Sequence, residues 1–290
     1  MGAVALVAVC ILGCDREVVD ASEVGPYAVA EVQVINDVER PGWAPGDDQM
    51  STWFGEALGL SEKGLSAGPE GMAMRATLHH RVELRELPRG ARLTVYVDLQ
   101  AERSVISDEE PMVTLLARAE RRHILARGMP SEEVLQGLSY ALGRQAVDDA
   151  VLQLRLRAQI RQMEPAGLVA WVGDEELPDA VRRYAIRRAA LHQPPGLEEA
   201  LIEVAYQAPN QVAASAARAL HAMESERATH LLMDVAQRAS RDEEYDLYLG
   251  LLPLLADLDE GWVNIYLQTV ARAHSVARVR VEAQAAIGGR

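Results

Sequence analysis

Cysteine is nearly absent from this 290-residue chain, which has only Cys10 and Cys14. Both lie in the first fourteen residues, so the body of the chain has no thiol of its own. Without cysteine, the body cannot form a disulfide framework, a thiolate metal site or a cysteine nucleophile. The sequence therefore excludes these three chemistries for everything that follows Cys14.

Aromatic residues and lysine are also scarce. Aromatic side chains make up 4% of the chain, with Phe54 the single phenylalanine, whereas 49% of the residues are hydrophobic. The cores must therefore be built from Ala, Leu and Val, which suits closely packed helices. Lys63 is the one lysine, and the net charge is −14. Because nucleic acids and anionic lipids attract clustered basic residues, we predict that neither is the main partner.

Motifs for catalysis and cofactor binding are missing from the sequence. The seven histidines form no HExxH or HxH arrangement, and the adjacent His79 and His80 point to opposite faces of a predicted strand. Patterns for a nucleophile elbow, a phosphate loop or a dinucleotide site do not occur. The acidic runs at 108–110 and 242–244 lack the spacing of a calcium loop. We therefore predict no catalytic residue, no cofactor and no metal.

The first fourteen residues have the pattern of an export signal. The apolar run from Ala3 to Leu12 has the length of a signal-peptide core and is too short to span about 30 Å of hydrocarbon. It ends in Ile11-Leu12-Gly13-Cys14, which resembles the lipobox of bacterial lipoproteins. The resemblance implies that residues 1–13 are removed, that Cys14 is lipidated, and that residues 14–26 tether the body to a membrane on the periplasmic face of the cell envelope. The alternative is an ordinary apolar N-terminus.

Residues 27–163 are predicted to form an α+β domain. A Val- and Ile-rich strand at about 27–36 precedes a helix at about 49–60, and two alternating segments around Pro88-Arg89-Gly90 predict a β-hairpin. A further strand at about 112–122 and a long helix starting at Ser131 complete the order β-α-β-β-β-α. We expect an antiparallel sheet with helices covering one face.

From residue 164 onward the pattern is helical, with eight predicted helices between about 166 and 287 separated by Pro, Gly or acidic turns. Alternate helices repeat a segment that aligns on Val181, Val212 and Val279, with a degenerate copy near Asp246-Leu247. The first two copies are 31 residues apart, and the later spacings are similar. A fixed period of this length with two helices per unit predicts an α-solenoid.

Two copies of the repeated segment read Val-Arg-x-x-Ala, from Val181 to Ala185 and from Val279 to Ala283, whereas the second copy has Ala213 in place of the Arg. This pattern resembles the short HEAT repeats of bacteria, and the resemblance covers residues 164–290. It implies a stack of helix pairs that presents an extended surface to a partner protein. A non-repetitive helical bundle is the alternative.

Aromatic and arginine side chains are the candidates for partner binding: Trp43, Trp53, Phe54, Arg182, Arg183, Arg187, Trp262 and Tyr266. The aromatic residues near position 50 concentrate scarce aromatic surface, although they could instead fill the gap between helix and sheet. The arginines would form a basic strip on one helix unless they pair with acids such as Asp179. The two late aromatic residues either line the surface of the repeats or pack between them.

The sequence thus predicts a membrane-anchored envelope lipoprotein that acts as a non-catalytic protein-binding scaffold or adaptor through its helical repeats. Two alternatives stay open. One is a carrier or assembly factor for lipids or outer-membrane components that uses the α+β domain. The other is an envelope enzyme with a site between the domains. An apolar cavity would favour the carrier, and a cleft with converging titratable groups would favour the enzyme.

Overall fold

A computed structural model describes residues 7–8, 27–38, 41–43, 45–59, 72–88, 90–103, 114–126, 130–258 and 260–288. The predicted lipobox from Ile11 to Cys14 and the tether that follows it lie outside these residues. The chain folds into two compact units, Met1–Gln162 and Met163–Arg290.

The first unit is built on a mixed β-sheet. Its long strands are β2 (Tyr27–Val38), β3 (Met72–Leu87), β4 (Gly90–Arg103) and β5 (Thr114–Ala126), and the two-residue strand β1 (Val7–Ala8) pairs with β2. The strands lie side by side in sequence order. Antiparallel pairing joins β3 to β4 and β4 to β5, whereas β2 runs parallel to β3.

The parallel pair shows that the expectation of an antiparallel sheet is wrong for the first long strand, although the predicted order of elements is confirmed. Helix α1 (Asp47–Gly59) stands between β2 and β3 in the chain. A helical crossover returns the chain to the end of the sheet where β2 began, so the next strand runs in the same direction. The resulting register places Asn36 beside His80 and Val38 beside Val82.

Helices α1 and α2 (Glu132–Gln162) pack against one face of the sheet. Alternate residues of each strand face these helices, and Leu78, Val97 and Leu99 are fully buried there. One cluster of buried side chains includes these residues together with Phe54, and a second includes Trp43. The sheet therefore has one apolar face, which the two helices cover.

The opposite face of the sheet carries charged side chains that pair with one another. The Arg81 and Arg118 guanidinium groups lie 3.5 Å from Glu83 and 3.2 Å from Asp98, respectively. Arg81 also lies 4.5 Å from the ring centre of Tyr96. These pairs are exposed and contribute little stability, as is typical of a solvated face.

The second unit is helical in the part of it that the structure describes. Its helices are α3 (Pro165–Gly173), α4 (Asp179–His192), α5 (Leu197–Gln207), α6 (Asn210–Ala222), α7 (Ala228–Arg241), α8 (Tyr245–Asp257), α9 (Gly261–Ala273) and α10 (Ala277–Gly288). The helical character predicted for this region is confirmed, and the predicted ends agree to within three residues. Pro178 and Pro209 immediately precede α4 and α6, where the missing N–H of proline costs nothing. Among the described helices, none has the length and apolarity needed to cross a membrane.

The core of the first unit can be tested with two aliphatic truncations on neighbouring strands. We expect Leu99→Ala, at a side chain that is 1% exposed, to lower the free energy of unfolding by about 2–5 kcal/mol because it leaves a cavity. Ile124→Ala, at a side chain that is 69% exposed, should change it by less than about 0.5 kcal/mol. Urea unfolding of the full chain measures both values, and equal losses would contradict this assignment of the core.

Candidate functional site

The aromatic residues of the first unit lie mainly inside it. Trp43 and Phe54 are 4% and 1% exposed, and the Trp43 carbonyl accepts a 2.9 Å hydrogen bond from the buried Ser139 hydroxyl. Trp53 is half-buried and meets Tyr140 edge-to-face, with ring centres 6.4 Å apart. The structure therefore places Trp43 and Phe54 in the core rather than on a binding surface, because scarce large side chains fill the space between helices and sheet.

A polar network that includes the buried His80 joins β2, β3 and the start of α1. Asn36 donates to the Pro45 carbonyl at 3.3 Å and to the Asp47 carboxylate at 2.6 Å, and its own carbonyl oxygen lies 3.0 Å from Nδ1 of His80. Since both amide hydrogens of Asn36 are used, His80 Nδ1 must carry a proton and donate. His80 Nε2 is therefore an acceptor. It is buried near Gly143 without a hydrogen-bond partner among the described residues.

Burial keeps this histidine neutral, since it lowers the pKa of His80 to about 4. The ring is 0% exposed, and a Cβ added at Gly143 would lie 3.6 Å from Nε2. A general base needs contact with a substrate proton, which this packing prevents. The network therefore holds the crossover in place and does not form a catalytic site.

Arginine side chains cap the C-terminal ends of three helices in the second unit. Arg182 is 4% exposed and donates to the Val172 and Gly173 carbonyls at the end of α3, at 2.7 and 3.3 Å. Arg280 donates to the His274 carbonyl just after α9 at 2.6 Å, and Arg238 donates to the last carbonyls of α5. Arg182 thus satisfies carbonyl groups that the helix leaves unpaired and does not belong to a surface strip.

The next arginines on α4 have a different environment. Arg183 is half-buried, Arg187 is exposed one turn later, and Arg218 on α6 donates to the Gly250 carbonyl of α8 at 3.0 Å. We call Arg183, Arg187 and Arg218 the arginine cluster. Burial and then the charge of Arg187 lower the pKa of Arg183, and burial and then the charge of Arg183 lower the pKa of Arg218. Arg183 therefore lies close enough to Arg187 and to Arg218 for its charge to repel theirs.

Carboxylates do not neutralise this cluster in the part of the chain that the structure describes. No described carboxylate lies within 4.0 Å of its three guanidinium groups. Asp179 raises the pKa of Arg183 only from beyond that distance. The Nε atom of Arg183 is buried and has no hydrogen-bond partner among the described residues. The expected pairing with acids such as Asp179 is thus not formed as an ion pair.

The late aromatic residues divide between the interior and the surface. Tyr266 on α9 is half-buried, and its hydroxyl lies 2.7 Å from that of the buried Tyr248 on α8. Burial, followed by the bond to Tyr266, raises the pKa of Tyr248. Trp262 is 41% exposed and stacks at a tilt on His230 of α7, with ring centres 5.3 Å apart. Tyr266 therefore packs between helices, and Trp262 remains a surface residue.

Ser240 lies beside His274, but the histidine nitrogen that faces the serine carries a hydrogen. His274 Nε2 is 3.2 Å from the Ser240 hydroxyl, and the Val276 N–H donates to His274 Nδ1 at 3.1 Å. Because Nδ1 accepts, Nε2 carries the hydrogen and cannot take the serine proton as a general base does. The described residues also contain no group of three or more His, Cys, Asp or Glu side chains placed to hold a metal ion.

Comparison with known proteins gives no family to guide this assignment. The sequence matches no protein-family model and no curated protein.

Sequence reasoning missed Arg218 and Asn36, which the structure places beside predicted residues. The hydrogen bond between Asn36 and His80 joins residues 44 positions apart, so no local pattern marks it. The sequence did contain a signal for Arg218. It lies six residues after Val212, and Arg187 lies six residues after the aligned Val181. The structure therefore brings Arg183 and Arg187 together with Arg218, and separates them from Arg182.

The buried histidine predicts a dependence of stability on pH. The unfolded chain has the ordinary histidine pKa of 6.5 and the folded chain a pKa of about 4, so the unfolded state binds more protons between these values. Stability from His80 is thus complete above pH 6.5 and is lost as the pH falls towards 4, by roughly 3 kcal/mol.

Urea unfolding at several pH values measures this effect. The stability advantage of the wild type over His80→Leu should shrink as the pH falls from 7 to 4. For His79→Leu, at the exposed neighbour on the other face, the difference should stay constant. A constant difference for both variants would contradict a buried, neutral His80.

The capping role of Arg182 predicts a loss of stability rather than a loss of binding. Arg182→Met removes the donor from two helix-end carbonyls, and we expect it to lower the free energy of unfolding by about 2–3 kcal/mol. Arg272→Met, at an exposed arginine on α9, is the matched control and should have little effect. Thermal unfolding of the full chain, followed by circular dichroism, distinguishes the two. Equal losses of stability in Arg182→Met and Arg272→Met would contradict the capping role of Arg182.

Proposed function

We propose that the protein is a non-catalytic scaffold, anchored by lipid in the cell envelope, whose second unit is a HEAT-like solenoid that binds a partner protein. The observation that carries the proposal is the regular recurrence of helices and of the hydrogen bonds between them. In repeat proteins each helix pair contacts its neighbours, and the stack offers equivalent side chains in rows to a partner.

The spacing of helix starts supports two helices per repeat. The helices α3, α5, α7 and α9 begin at Pro165, Leu197, Ala228 and Gly261, which are 32, 31 and 33 residues apart. The intervening helices α4, α6, α8 and α10 have a similar spacing. A non-repetitive bundle does not require such regular starts.

Hydrogen bonds recur at the same separation. Bonds between residues 32 apart join Asn210 to Asp242, Arg218 to Gly250, and Arg278 to Asp246. Arg238 likewise bonds to Tyr206, 32 residues earlier. Each bond links a helix, or the turn before it, to the corresponding part of the next pair, as expected where similar repeats stack.

The N-terminal sequence supports the anchored location, because the Ile11–Cys14 segment resembles a lipobox. Cys14 would carry the lipid, and the body would face the periplasm. The described residues support a non-catalytic role in two ways: His80 is inaccessible, and His274 presents a hydrogen rather than a lone pair to Ser240.

Cross-linking in native cells, followed by affinity capture of the tagged full-length protein from solubilised membranes, tests the proposal. We expect a reproducible partner protein from the wild type. Cys14→Ala should leave the membrane fraction and lose that partner. Capture of lipid alone would contradict the scaffold and favour a carrier, and Cys14→Ala retained at the membrane would contradict the lipid anchor.

A further inference from the structure

Arg183 and Arg187 stand apart from the other arginines named in the second unit, because neither forms a hydrogen bond or an ion pair among the described residues. Arg218, the third member of the arginine cluster, donates to the Gly250 carbonyl and keeps its charge. Arg182, Arg238 and Arg280 donate to helix-end carbonyls. Among the described residues Arg187 has no hydrogen bond or ion pair, and its guanidinium lies 6.0 Å from the ring centre of Tyr184. A stack of helices does not need a second, mutually repelling set of guanidinium groups.

Repulsion within the cluster opposes folding, and no described carboxylate within 4.0 Å offsets it. Arg183 is half-buried with a buried Nε that has no hydrogen-bond partner among those residues. Buried polar groups without partners destabilise the folded chain. Binding sites commonly retain such unfavourable groups, because their partner satisfies them only in the complex.

We infer that the arginine cluster binds an extended, acidic segment of a partner protein, with carboxylate side chains pairing to Arg183, Arg187 and Arg218. This inference rests on the proposed scaffold function and names the chemistry of the partner. The argument for an acidic segment is charge complementarity. The chain has a net charge of −14, but at the arginine cluster three positive charges have no described carboxylate within 4.0 Å.

The geometry of the helices favours a segment with spaced charges over a single anion. Arg187 and Arg218 follow the aligned Val181 and Val212 at the same distance, so they occupy equivalent positions on α4 and α6, which pack together. Packed helices lie about 8–10 Å apart. Alternate side chains of an extended peptide are about 7 Å apart on one face, which suits carboxylates at every second residue.

The net negative charge of the protein argues against a nucleic acid or a bilayer as the ligand of the cluster. A nucleic acid or an anionic bilayer would contact a wide area of this acidic protein and would be repelled outside the cluster. A short acidic segment can contact the three arginines without spreading over the rest of this acidic protein, and the hydrogen bond to the Gly250 carbonyl holds Arg218 in place. The chemistry therefore favours a protein segment.

Fluorescence anisotropy with the full-length protein tests the inference. The probe is a nine-residue peptide with Glu at alternate positions, and its control has Gln in place of each Glu. We expect the Glu peptide to bind at low salt and the Gln peptide not to bind. Arg183→Gln and Arg187→Gln should each weaken binding about fivefold to tenfold. Arg272→Gln, with the same charge change on α9, should alter it less than twofold.

A stability measurement separates binding from a structural role. Because Arg183→Gln removes repulsion, its melting temperature should equal or exceed that of the wild type, and the Glu peptide should raise the wild-type value. A lower melting temperature of Arg183→Gln with unchanged peptide binding would overturn the inference. Equal weakening by Arg272→Gln would also overturn it, by reducing the effect to overall charge.

Two further measurements distinguish an acidic peptide from other anionic ligands, and failure of this inference from failure of the scaffold function. The first measures binding of inorganic phosphate and of vesicles with anionic headgroups. Binding of either one through the cluster, without binding of the Glu peptide, would overturn the inference. Capture of the same partner by Arg187→Gln as efficiently as by the wild type would also overturn it, while the scaffold function would stand. Failure of the wild type to capture any partner would instead count against the scaffold.

Discussion

The carbonyl groups at the C-terminal ends of helices are the constraint on which the second unit depends. An α-helix leaves its last carbonyls without partners, and in a packed array water cannot reach all of them. Arginines from neighbouring helices supply the donors: Arg182 to α3, Arg238 to α5, and Arg280 just beyond α9. A guanidinium group suits this role because it donates in several directions and its charge is favourable at that end of the helix dipole. The ends of these three helices are thereby tied to side chains on other helices.

The arginines described above have three kinds of environment. On the sheet, Arg81 and Arg118 pair with carboxylates, and in the helical unit the capping arginines pair with carbonyls. Arg183 and Arg187 do neither within the described residues, although Arg183 follows the capping Arg182 directly in sequence. On a helix, adjacent residues point about 100° apart, so one side chain can enter the interior while the next faces a groove. Arg182 and Arg183 therefore have different surroundings although they are the same residue type, and only Arg183 has a guanidinium group left to bind a partner.

The sequence was sufficient for the order of elements and insufficient for their contacts. Apolar periodicity and Pro or Gly turns located the helices, and alternation located the strands around the hairpin. The direction of the first long strand required attention to connectivity, because a helix lies between it and its neighbour. The Val-Arg motif singled out Arg182 but could not predict its capping contact, which depends on where α3 ends. Trp43 and Phe54 looked like surface anchors only because aromatic residues are rare, and the same rarity makes them valuable in the core.

The separation of hydrogen-bonded residues along the chain also bears on the order of folding. In the helical unit, three of the hydrogen bonds between helices join residues 32 positions apart, so a short loop must close before each contact forms. In the sheet, Asn36 must find His80 across 44 residues, and Ser139 must reach the Trp43 carbonyl across 96. Proteins dominated by local contacts fold faster than those with distant pairings. The helical unit should therefore reach its native contacts first, and the parallel strand pair should set the slow phase of refolding.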